Sequence, residues 1–146
     1  MKFIIIFLAL LSFSCTKKES AEDVLSGFIK YRFKSSQTKN ELLTRTTGGL
    51  HQKISNMDEE TFEKFSTNKN RKMRKYRVDL ARCSNETCFI TYTLSYDEGD
   101  QKGRKYETEI KKIAELQLEE GFWKIADVSN IKTYIDSKRP LSTSNN

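Results

Sequence analysis

The chain has 146 residues, 32% of them charged and 11% aromatic, and carries a formal charge of +6 at neutral pH. That length supports one ordinary domain around one core, and this aromatic content excludes a disordered chain. The modest basic excess suits an anionic surface or an acidic partner.

The chain opens on Lys2, the apolar run Phe3 to Leu11, then Ser12-Phe13-Ser14-Cys15. A charged start, an apolar stretch too short to span a bilayer and a small residue at the end describe an exported precursor. The segment resembles the bacterial lipoprotein precursor, in which a short lipobox ends in the cysteine that receives diacylglycerol and becomes the first mature residue. Here Ser12 and Phe13 depart from the usual aliphatic-then-small pattern, and Leu11 lies one place early. The resemblance implies a signal peptide over residues 1–14, an acylated Cys15 bearing palmitate-type chains, and a polar tether over 15–19. Thr16 after the cysteine implies, under the enterobacterial sorting rule, an outer-membrane anchor facing the periplasm. The other reading is an ordinary secretory signal cut near Ser14, which leaves Cys15 a spare thiol.

A domain over residues 20–136 follows. Ser20 and Asp23 form a capping-box pattern that opens a helix to about Ser36, with Val24, Leu25, Phe28, Ile29 and Phe33 on one face. Asn40 to Thr46 predicts a short second helix with Leu42 and Leu43 inward, broken by Thr47-Gly48-Gly49, and a helical turn over Leu50 to Ile54. Asp58-Glu59-Glu60 puts acidic residues at the positive end of a third helix, whose apolar contacts are Phe62 and Phe65.

The basic residues cluster in Lys69, Arg71, Lys72, Arg74, Lys75 and Arg77. Such a run meets lipid headgroups or an acidic partner, or simply protects an edge strand from unwanted pairing. Nucleic acid is not expected, because Tyr76 is the run's single stacking group.

From residue 71 the period changes from helical to alternating. Four strands fit, roughly Lys72 to Arg82, Cys88 to Asp97, Lys105 to Glu119 and Phe122 to Ser129. Tyr76, Val78 and Leu80 share one face of the first, and Ile90, Tyr92, Leu94 and Tyr96 one face of the second. In the third, Lys112 interrupts the phase of Tyr106, Ile110, Ala114, Leu116 and Leu118, which a bulge or bend near Lys111 to Ile113 would reconcile. Glu98 to Lys102 and Glu120-Gly121 have the length of hairpin turns, so neighbouring strands are expected antiparallel. Cys83 and Cys88 are an even pair flanking a four-residue loop in an exported chain, and a disulfide closing that hairpin is expected. Asn85-Glu86-Thr87 has the form of a glycosylation acceptor but reads as turn chemistry. Residues 137–146 are polar, contain Pro140 and read as a frayed tail.

Helices first and a curved antiparallel meander second predict an α+β domain. The order of elements and the closing stretch Glu120-Gly121-Phe122-Trp123-Lys124-Ile125-Ala126-Asp127-Val128 look like the nuclear transport factor 2-like, or cystatin-like, superfamily. That resemblance implies N-terminal helices packed on a four-stranded antiparallel cone. Enzymes of the superfamily keep an Asp or Glu with His, Tyr or a second carboxylate inside the cone.

This chain offers little for such chemistry. His51 is the sole histidine and falls near the Gly48-Gly49 break, which suits a surface or capping role, and with no second cysteine pair no metal site is expected. Asp79 lies opposite Tyr76, Val78 and Leu80 on its strand, whereas Asp127 shares the face of Trp123 and Ile125. Tyr92, Tyr96, Tyr106, Trp123 and Asp127 are the candidates for lining a ligand pocket. No nucleophile triad, phosphate loop or cofactor motif is visible. The expectation is therefore a membrane-anchored, non-catalytic domain that binds a protein or envelope component. The alternatives are a carrier of a small apolar ligand in the cone and, behind it, an isomerase- or dehydratase-like enzyme. The oligomeric state and the partner's identity stay open.

Overall fold

The computed structural model describes residues 18–67, 70–99 and 105–138. The expected signal segment, Cys15, Lys69 and the chain beyond Lys138 lie outside them. Ser20 caps α1 (Ala21–Arg32): its hydroxyl accepts the Asp23 N–H at 3.1 Å, and the Asp23 carboxylate accepts the Ser20 N–H at 3.3 Å. The helix stops at Arg32 rather than near Ser36, because the Phe33 N–H closes on the carbonyls of Lys30 and Tyr31. The chain then turns, and the Thr38 N–H donates to the Tyr31 hydroxyl at 2.8 Å.

Thr38 caps α2 (Lys39–Thr44), and α3 (Gly48–Ser55) follows after a short link. The joint between the two helices is thus Arg45 to Thr47, Gly48 and Gly49 open α3, and the expected turn over 50–54 belongs to a full helix. The φ of +52° at Gly48 lies in the left-handed region that favours glycine, while the space beside Ala126 would admit a Cβ at ordinary contact. Asp58 caps α4 (Glu59–Ser66) by accepting the Thr61 N–H at 2.7 Å. The described residues therefore carry four helices where three are expected.

Strands β1 (Arg71–Cys83), β2 (Thr87–Gly99), β3 (Lys105–Glu119) and β4 (Phe122–Lys138) form one antiparallel sheet in chain order. Glu120 and Gly121, at φ 51° and 85°, make the left-handed two-residue turn that joins β3 to β4. Cys83 and Cys88 face each other in the register of β1 and β2, with Cα atoms 3.9 Å apart and sulfurs at bonding distance. β4 runs on well past Ser129 and pairs with β3 as far as Lys105. Its second half shows no buried alternation, since Ile131 and Ile135 are exposed, and this hides the strand in the sequence.

Helices cover one face of this open sheet, and the result is an α+β domain compatible with a cone. The core lies between them, with Leu25, Leu42 and Ile54 from the helices against Ile90, Leu116 and Ile125 from the sheet, all fully buried. The link between α2 and α3 clips to the free edge of β4. There the Thr47 N–H donates to the Ile125 carbonyl at 2.8 Å and the Ile125 N–H to that of Arg45 at 3.0 Å.

Irregular pairings decide which side chains face the core. Between Val78 and Leu80 the β1–β2 register slips, so Leu80 turns to the outer face, 49% exposed, and Ala81 takes its place inside. Leu80 therefore does not share the face of Tyr76 and Val78. A second slip, between Glu115 and Leu116, leaves Ala126 without a partner on β3. Ile125 consequently faces in with Leu116, while Asp127 faces out with Glu115. Of the two remaining slips, one falls between Met73 and Lys75 on β1, and the other between Lys111 and Lys112, where the unpaired residue is Ile131 of β4 and not a residue of β3. The bulge is at the expected level, but β3 keeps its alternation against β2, and Lys112 stays on the inner face.

Candidate functional site

The C-terminal half of α1 and the inner faces of β2 and β3, with side chains from α3, α4, β1 and β4, line a cavity of about 240 Å³ that is open to solvent on one side. Its floor is apolar and aromatic: Phe28 and Ile29 come from α1, Tyr92 and Leu94 from β2, and Ile110 from β3. These positions follow from the helical and alternating patterns already described. Phe33 and Tyr96 stand at one side with ring centroids 5.7 Å apart. Burial pushes the Tyr92 phenol upward, with Tyr76 next to it, so it stays protonated at neutral pH.

Four cations also line the cavity: Arg32, Lys53, Arg71 and Lys112. No carboxylate does so among the described residues. Arg32, the last residue of α1, lies with its guanidinium 4.0 Å from the Phe65 ring centroid. It donates to the Phe65 carbonyl at 2.9 Å and to the Gln37 side-chain oxygen. Burial first, and then the charge of Arg71, lower its pKa to about 10, so it remains cationic. Arg71 stacks 5.3 Å over the Tyr96 ring and pairs with Glu98 at 2.9 Å. Lys112 stands between Tyr92 and Asn130 in the sheet register. Its ammonium has no hydrogen-bond or ion-pair partner among the described residues, and burial, then Arg32 and Arg71, hold its pKa below the usual value.

Of the expected pocket residues, Tyr92 and Tyr96 line this cavity. Tyr106 does not; it is half-buried farther along β3, opposite Glu98. Trp123 sits near the opposite end of α1 beside Val24 and Glu120, half-buried. Asp127 is exposed on the outer face and accepts from the Ser129 hydroxyl at 2.8 Å. The apparent shared face of Trp123, Ile125 and Asp127 is broken by the bulge at Ala126. Asp79 is likewise on the outer face, where it takes the Thr93 hydroxyl at 2.7 Å and Arg77 at 2.8 Å. Those hydrogen bonds hold its carboxyl below the usual range.

The basic run divides. Arg71 turns to the cavity, whereas Arg74 reaches Asp97 at 3.4 Å and Glu107 at 3.2 Å on the outer face. Lys72 and Lys75 are exposed on the edge strand. His51 Nδ1 lies 3.2 Å from the carbonyl oxygens of both Leu43 and Thr46. Both partners are acceptors, so that nitrogen carries the proton and the ring caps the end of α2.

Comparison with family models, with curated proteins and with solved structures finds no match for this chain. The site therefore speaks through its own geometry. Among the described residues no three His, Cys, Asp or Glu side chains gather as metal ligands, and no helix is long and apolar enough to cross a membrane. Arg32 and Lys112 are cavity residues that neither pattern marks as such. The one signal for Lys112 is the break it makes in an apolar phase; Arg32 looks like a solvated helix end.

Proposed function

We propose that this chain is a non-catalytic binding domain whose cavity takes a small, partly apolar ligand, and that acylated Cys15 holds it at a membrane. The observation that carries the ligand reading is that Phe28, Phe33 and Tyr92 line an open space instead of filling it. A volume of about 240 Å³ equals that of roughly eight water molecules, and an apolar floor of this kind gains free energy when a tail replaces them. The space is smaller than the roughly 300–1,000 Å³ of most drug-sized sites, which suits a short single-tailed molecule. The carboxylates that an acid–base mechanism would use, Asp79 and Asp127, point away from it.

The test is occupancy. Amide chemical shifts followed while short-chain alcohols are added should move at Tyr92, Leu94 and Ile110, and filling the cavity with Leu94→Trp should abolish the response. Shifts spread over the surface, or unchanged by Leu94→Trp, would refute the reading. Mass and detergent partitioning of the natural product beside a Cys15→Ser version test the anchor separately; a soluble, unacylated natural product would remove it.

An envelope protein partner is the second reading. Leu80 and Phe89 favour it, being diagonal neighbours on the outer face that are 49% and 45% exposed. Replacing both with Ser should then abolish co-purification of that partner while the cavity responds unchanged.

A further inference from the structure

The cavity is apolar at its floor and cationic on its wall, and the two regions differ in burial. Tyr92, Leu94 and Ile110 are buried, Arg32 and Lys112 are partly buried, and Lys53 and Arg71 reach solvent. A bound molecule would therefore meet apolar surface inside and positive charge toward the mouth. Glu98 occupies Arg71 from outside, yet no carboxylate of the described residues lines the cavity beside Lys112. Like charges that crowd a partly dry wall repel, and an oxyanion placed among them relieves the repulsion while receiving several charge-assisted hydrogen bonds.

We infer that the ligand is an anionic amphiphile with one short tail, its oxyanion head held by Lys112 and Arg32 with Arg71 at the mouth, and its tail against Tyr92, Leu94 and Ile110. This rests on the reading that the cavity is a ligand site. A carboxylate and a phosphate monoester share the required head chemistry, whereas a two-chain membrane lipid is too large for the space. Arg32 is held ready by the Phe65 ring and carbonyl and by Gln37, so little ordering is lost when the head arrives. Lys112 is the adaptable member, a long flexible side chain whose ammonium has no partner among the described residues.

The experiment is calorimetric titration of the full chain carrying Cys15→Ser, without detergent, using octanoate, octanol and octylamine as tail-matched probes. Octanoate should bind at least about tenfold more tightly than octanol, and octylamine more weakly than either. Lys112→Gln should weaken octanoate about tenfold and leave octanol within about twofold, while Lys112→Arg keeps the octanoate preference. Arg71→Gln should show the same selective loss at smaller amplitude, and serves if Lys112→Gln folds poorly.

If octanol matches octanoate, the cavity is a ligand site but Lys112 only extends to water, and the anionic head falls alone. Tighter binding of octylamine overturns it as well. A preference for octanoate that survives both Lys112→Gln and Arg71→Gln places the head elsewhere and overturns the assignment. If none of the three probes binds, this inference and the cavity reading fall together.

Discussion

Tyr92 and Lys112 are paired directly across β2 and β3 with both side chains on the inner face, so a phenol and an ammonium share one wall of the same cavity. The pairing is expensive for the empty protein. Burial, then the charges of Arg32 and Arg71, depress the Lys112 pKa below its usual 10.5. The native state therefore binds this proton less tightly than the unfolded chain does. The resulting penalty is fully present below the native pKa and fades as pH rises through it toward the unfolded value.

Lys112→Met should accordingly stabilise the protein at pH 7, by no more than about 1 kcal/mol because solvent screens a part-exposed charge, since a flexible apolar side chain replaces an ammonium without a partner among the described residues. The gain should shrink when urea unfolding is repeated near pH 10. A variant less stable than the natural protein at pH 7 would mean that Lys112 has a stabilising partner in solution. The same variant should lose the discrimination between octanoate and octanol, so stability and binding move in opposite directions.

Much of this domain is legible in its sequence. The capping box at Ser20 and Asp23, the inward face of Ile90, Tyr92, Leu94 and Tyr96, the cysteine hairpin and the Glu120-Gly121 turn are local patterns, each fixed by a spacing or a backbone requirement. The face of Leu80 and Asp127 is not local. It depends on which strand carries the extra residue of a bulge, and a bulge on β1 or β4 reverses every assignment beyond it. The level near Lys112 shows the difference well: a bulge in β3 would have turned this lysine out, whereas a bulge at Ile131 in β4 leaves it in. The cationic wall was hidden for the same reason, because Arg32, Arg71 and Lys112 come from three elements whose meeting only the fold creates.

The disulfide should stabilise chiefly through the unfolded chain. Cys83 and Cys88 close a short loop whose native turn is already held by the Ser84 N–H donating to the Thr87 carbonyl at 2.8 Å. For so short a loop, chain-entropy reasoning gives about 2 kcal/mol. Cys83→Ala with Cys88→Ala should lower the free energy of unfolding by that amount, and dithiothreitol should destabilise the natural protein equally without affecting the double variant. Ligand titrations should be unchanged, because neither cysteine borders the cavity.

Trp123 belongs to the other end of α1. Its indole is half-buried and packs with Val24 beside the β3–β4 turn. Trp123→Ala should cost about 2 kcal/mol, less than the roughly 3–5 kcal/mol of a fully enclosed tryptophan. Octanoate affinity should not change. A cost near zero would show that α1 does not press on the turn in solution, and lost affinity would show that the two ends of α1 are coupled.

The Thr47 hydroxyl donates to the Glu119 carboxylate, and Lys124 reaches the same group at 3.1 Å, which ties the start of α3 to the end of β3. The Thr47 bond first, and then Lys124, hold the Glu119 pKa below its usual 4.5. A depressed carboxylate stabilises the native state above the unfolded pKa and loses that contribution as pH falls through the native value. Thr47→Val should therefore be less stable than the natural protein at pH 7, and the two should converge in acid. Glu119→Gln should lose the carboxylate titration altogether, and adding Thr47→Val to it should cost less than Thr47→Val does alone. Equal costs in the two backgrounds would mean that Thr47 acts only through its backbone clip to Ile125, with its hydroxyl contributing nothing at the joint.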